Sequence, residues 1–216
     1  MRLRAFLAAL PLALLGAGSG HAAVILTANL TNSQENPPAV PTLSTGAARP
    51  ASFGTASFVL NDAQTAMTMT ATVNNIDFTG SQTVDANDNL TVAHLHAPGP
   101  PGVNGPVVWG FFGAPFNDTN PNDVVVTPFA SGVGGTISGK WDAPEGNNTT
   151  LTVQLSNILG GLSYINFHTV QFPGGEVRGQ IVPATVAVPE PASLGLLLVG
   201  MAGLAGVGMR RGRRLG

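Results

Sequence analysis

No cysteine occurs in the 216-residue chain, which excludes disulfides, thiolate metal ligation and redox switching through thiols. Charge is scarce too. Nine basic and eleven acidic side chains make up 9% of the residues, while 44% are hydrophobic. A disordered chain would carry more charge and fewer apolar residues, and a nucleic-acid binder would carry a basic patch. Between Val24 and Val188 three basic residues (Arg49, Lys140 and Arg178) face ten acids, a net of −7. Catalytic signatures are also missing. The glycine-rich stretches are followed by no Gly-Lys-Ser/Thr phosphate cradle, and there is no Gly-x-Ser-x-Gly elbow, His-Glu-x-x-His helix or paired-carboxylate pattern. The chain is therefore expected not to be an enzyme.

Both ends read as addresses. Residues 1–22 have a basic start, an apolar run from Ala5 to Ala17 and a Gly20-His21-Ala22 cleavage pattern, which predicts a signal peptide for Sec-type export. At the other end Ala192 to Met209 contains no charge, and as a helix it would be ~27 Å long, enough to span a bilayer. Arg210, Arg211, Arg213 and Arg214 follow and would hold the tail on the cytoplasmic side. The expected organisation is a signal peptide (1–22), a β domain (23–183), a linker (184–191), a transmembrane helix (192–209) and a basic tail (210–216).

Pro189-Glu190-Pro191, the apolar helix and the arginine cluster, in that order, resemble the PEP-CTERM sorting signal of Gram-negative bacteria. The resemblance implies an exosortase as partner, transient anchoring in the inner membrane, and delivery to the cell envelope or a polysaccharide-rich extracellular matrix. The two prolines keep the segment before the helix extended, so a processing enzyme could reach its backbone.

The stretch between the addresses alternates with the period of strands. Met67, Met69, Ala71 and Val73 interleave with Thr68, Thr70 and Thr72. Strands are likewise expected at Ser57–Leu60, Leu151–Leu155 and Val177–Ile181, with turn clusters such as Pro98–Pro101 and Pro173–Gly175 between them. No helical stripe stands out. An all-β fold is predicted, as an antiparallel sandwich or a partly closed barrel.

Two segments carry further identity: Val92-Ala93-His94-Leu95-His96-Ala97-Pro98 through Val107, and Tyr164-Ile165-Asn166-Phe167-His168-Thr169 with Glu176-Val177-Arg178-Gly179-Gln180-Ile181. With Gln34-Glu35-Asn36-Pro37-Pro38 and Gly54–Phe58 upstream, they resemble the CHRD domain from Leu26 to Ile181. Ala97, where the family usually has glycine, and the insertion-like stretch Ser81–Leu90 depart from it. The resemblance implies an immunoglobulin-like sandwich or barrel and no catalytic residues. With the two addresses it suggests a structural or adhesive component of the extracellular polysaccharide layer.

Three of the four histidines lie in these segments. On a strand His94 and His96 share one face, with Cβ atoms roughly 6.6 Å apart. If His168 sits on a neighbouring strand, the three offer nitrogens for zinc or copper with one position left for water. The competing reading is that the histidines hydrogen-bond to backbone carbonyls or to Glu176 or Asp85. Glu176 and Arg178 are expected on a solvent face as an exposed charge ladder, or with Arg178 reading an anionic ligand such as a uronic acid. Asp85–Asn89 has the oxygen density of a calcium loop without the EF-hand pattern, so an ordinary solvated turn is favoured there. Val107–Phe112 reads as a buried strand in preference to a sugar-stacking platform.

Overall fold

The computed structural model describes residues 23–184. The signal peptide expected at 1–22 and the transmembrane helix expected at 192–209, with its flanking motif and arginines, lie outside the described residues. Among the described residues no helix is long and apolar enough to cross a membrane.

Nine strands follow one another: β1 (Val24–Thr31), β2 (Phe53–Leu60), β3 (Ala66–Asn74), β4 (Leu90–His96), β5 (Val107–Phe112), β6 (Val125–Pro128), β7 (Gly134–Asp142), β8 (Ser163–Thr169) and β9 (Val177–Pro183). One helix, α1 (Leu151–Leu159), precedes β8. The strands form a single antiparallel sheet in the order β5-β4-β8-β9-β1-β2-β3-β7-β6. The all-β expectation holds, and of its two forms the partly closed barrel is the one found: one curled half-barrel, not two stacked sheets. Its curl is visible in side chains. Trp109 of β5 stacks on Trp141 of β7, with ring centroids 5.7 Å apart and planes 4° from parallel, although β5 is one edge of the sheet and β7 is next to the other.

Alternation explains which side chains fill the interior. Leu26, Ala28 and Leu30 of β1, Ala56, Phe58 and Leu60 of β2, and Met67, Met69, Ala71 and Val73 of β3 all point inward and are buried, while the intervening Thr27, Asn29, Thr55, Ser57, Thr68 and Thr70 are exposed. Each large side chain so buried contributes about 1.5–3 kcal/mol. Ala93, Leu95, Ile165, Phe167, Val177 and Ile181 extend this core through β4, β8 and β9.

The segment Leu151–Leu155 is a correction, because it opens α1 and is no strand. Five residues of alternation do not separate the two periods. What decides is the Thr150 side chain, which caps the helix by accepting from the Val153 amide, and the recurrence of Leu151, Leu155 and Ile158 toward the core at helical spacing.

Beyond β1, β2 and β3 the clean inside–outside alternation ends at β4 and β8. In β4 the last four residues, Ala93 to His96, are all buried, and β8 is buried along its whole length. Both faces of these strands are therefore covered. The second face carries polar side chains, and it is where the functional candidates lie.

Candidate metal centre

His94 and His96 project from one face of β4, while Leu95 between them enters the core. β8 lies directly beside β4, in a register that pairs Val92 with His168, His94 with Asn166 and His96 with Tyr164. His168 is thus diagonal to His94 on the same covered face. The rings converge: centroids are 5.1 Å apart for His94–His168, 5.8 Å for His94–His96 and 6.2 Å for His96–His168. One nitrogen from each ring can be chosen so that all three lie within 4.8 Å of one another.

One nitrogen of each ring reaches a backbone carbonyl on a covering loop. His94 Nε2 lies 3.3 Å from the Ala114 oxygen, His96 Nδ1 2.9 Å from Gly105, and His168 Nδ1 2.9 Å from Pro173. A carbonyl only accepts, so these three nitrogens carry the protons. The remaining nitrogens, His94 Nδ1, His96 Nε2 and His168 Nε2, are buried and have no hydrogen-bond partner. Burial is the main reason that the imidazoles stay neutral. It pushes His94 and His96 down to about 4, assisted at His94 by His168 and at His96 by His168, His94 and Arg178; His168 shifts in the same direction for the same reason. Three unprotonated lone pairs are buried within one histidine cluster. Unpaired buried acceptors are costly, and a cation between them would remove that cost. The two sequence readings are therefore compatible, since each histidine fixes a loop through one nitrogen and leaves the other without a partner. Glu176 and Asp85 are not their partners.

Around the cluster the structure corrects the expected solvent face. Glu176, just ahead of β9, and Arg178 within it are 0% and 1% exposed. Glu176 accepts from Arg49, from the Ser52 hydroxyl and, at 2.6 Å, from Thr169 Oγ1, so it pins the β8–β9 turn to the segment before β2. The Arg178 guanidinium carbon stands 3.4 Å from the centre of the Tyr164 ring, and the side chain donates to Pro100 O, Asn104 Oδ1 and Gln180 Oε1. Tyr164 in turn stacks on His96, centroids 4.6 Å apart and planes 5° from parallel, and its hydroxyl accepts from the Gly105 amide. Guanidinium, phenol and imidazole form a column that fixes the Pro98–Gly105 loop and the plane of His96. The loop packs so closely that a Cβ on Gly99 would stand 2.5 Å from the Tyr164 ring. Arg178 is thus an anchor for the loop, with its donors directed at protein acceptors.

Glu35 was not singled out by sequence. It is 6% exposed, and one of its carboxylate oxygens is buried without a partner. Burial raises it to about 7, against the opposing pull of Arg178 and a hydrogen bond from Asn166, with Glu176 adding a smaller upward push. Asp85, by contrast, directs its carboxylate at the Ser44 amide and hydroxyl and at the Asn87 amide, capping a short 3-10 turn. Val107–Phe112 forms β5 and is largely buried.

Comparison with known proteins gives two matches. Residues 26–181 match the family model of the CHRD domain, and residues 187–214 match the PEP-CTERM protein-sorting motif, spanning Pro189, Glu190 and Pro191 and the arginine cluster. That motif implies processing by an exosortase and an exported, envelope-associated protein. Neither the curated proteins nor the solved structures compared include a match to the chain.

Proposed function

Since the chain belongs to the CHRD family and carries a PEP-CTERM sorting motif, we propose that it is an exported, non-enzymatic protein whose β domain binds one transition-metal ion, zinc or copper, through His94, His96 and His168. Exosortase processing would deliver it to the envelope or the extracellular polysaccharide layer, where the domain is a structural component that holds the ion. One observation carries the metal reading. Three buried histidines bring one ring nitrogen apiece within 4.8 Å of one another, and each ring has one nitrogen tied to a carbonyl and one buried without a partner, which sets the tautomer a ligand needs. The closure of those nitrogens to solvent favours holding an ion over turning over a substrate.

The test is elemental analysis of the full chain purified without an affinity tag, beside a variant with all three histidines changed to alanine. About one equivalent of zinc or copper per chain, lost in the variant, is expected. Equal trace metal in both proteins refutes the reading.

A further inference from the structure

The three candidate nitrogens are buried as individual atoms, each exposing less than 1 Å². A metal held at imidazole distances of 2.0–2.1 Å would place a fourth, tetrahedral ligand about 3.3 Å from each nitrogen. Each of the three unpartnered nitrogens exposes less than 1 Å², so the rings as they stand leave little room for a water there. The arrangement therefore favours three ligands over the open fourth position expected from the sequence. Among the described residues the cluster also contains no carboxylate or thiolate, only the three neutral rings. The nearby Glu176 is committed to Arg49, Ser52 and Thr169. The nearest fixed charge along the stacked column is positive, the guanidinium of Arg178 behind Tyr164 and His96.

These features discriminate between ions. The cost of placing an ion in a medium of low dielectric grows as the square of its charge, so a dication with no anionic ligand costs about four times as much as a monocation. Zinc is almost always four-coordinate, and copper(II) takes tetragonal sites with four or more donors. Copper(I), with a filled d shell and a single charge, is stable with three nitrogen donors and needs no water. Resting on the metal reading above, we propose that His94, His96 and His168 form a dry, three-coordinate site selective for copper(I), so that the exported domain holds copper in its reduced state.

The full chain, solubilised in detergent, is titrated anaerobically with the copper(I)–bicinchoninate complex, and separately with copper(II) and zinc(II) salts against a chromophoric chelator. The expected results are transfer of about one equivalent of copper(I) per chain, an X-ray absorption spectrum with three nitrogen and no oxygen neighbours, and a copper centre that stays silent in electron paramagnetic resonance after admission of air. Copper(II) and zinc(II) should bind with affinity lower by at least about tenfold than at an open three-histidine site. A four-coordinate zinc or copper(II) complex with a bound water, formed in stoichiometric amount, would overturn the copper(I) assignment and leave the metal reading standing. Failure to take up any of the three ions would overturn the metal reading itself.

Discussion

Replacing Glu35 with glutamine should stabilise the metal-free protein at alkaline pH and leave it little changed in acid. Glu35 ionises near 4.5 when exposed but holds its proton to about 7 in the fold, chiefly because burial penalises the carboxylate. Below about 4.5 both states carry the proton, and the group has no effect on stability. Between 4.5 and 7 the unfolded chain gives up the proton and the folded chain keeps it, so stability falls as pH rises; above about 7 the loss is complete. At 1.36 kcal/mol per pH unit the difference amounts to about 3 kcal/mol. Glutamine keeps the shape and cannot ionise. The comparison is urea denaturation of wild type and Glu35→Gln at pH 4.5 and pH 8 with a chelator present, followed by the fluorescence of Trp109 and Trp141, which stack inside the barrel. The histidine titrations are common to both proteins and cancel in the difference. Glu35→Gln should gain about 3 kcal/mol relative to wild type between the two pH values. A difference that does not change with pH would refute the account of Glu35.

Three further outcomes are expected. In metal-free protein the depressed His94 and His96 contribute stability that is present above about 6.5 and lost as pH falls toward about 4, so urea midpoints should drop through that interval and a histidine-to-alanine variant should show a shallower drop. Arg49→Met leaves the fully buried Glu176 without its counter-ion and should cost about 3–5 kcal/mol in urea denaturation, with much of that loss recovered when Glu176→Gln is added. Gly110→Ala would drive a methyl group into the Pro115 carbonyl and displace the turn whose Ala114 oxygen fixes His94. It should therefore weaken metal binding by about 10–100-fold, measured by chelator competition, while near-ultraviolet circular dichroism stays close to wild type.

The parts of the fold legible in the sequence are those governed by the two-residue period. Met67 to Val73 gave away β3, and the spacing of His94, Leu95 and His96 assigned the two rings to one face before any neighbour was known. That period says which side chains share a face, but it does not say whether the face is wet. Glu176 and Arg178 were misplaced for this reason, because the segments that cover them, Pro98–Gly105 and the stretch around Arg49, lie far away along the chain. Leu151–Leu155 misled because five residues fit a strand as well as the first turn of a capped helix. The carbonyls of Gly105, Ala114 and Pro173, which set the histidine tautomers, leave no trace in sequence, since every residue has one. Glu35 is a lone acid beside two prolines, and only its surroundings in the fold distinguish it from any exposed glutamate.

The three loops that lean on the histidine rings have a mechanical consequence for a chain without cysteine. A single ion shared by His94 and His168 would knot together residues 74 positions apart, a ring of chain that a covalent bridge of the same span would constrain by about 4–5 kcal/mol. Outside the reducing cytoplasm most small exported domains are stapled by sulfur. Here one coordinated atom would stand in for the staple, fastened as the chain meets its metal and unfastened when the metal is withdrawn.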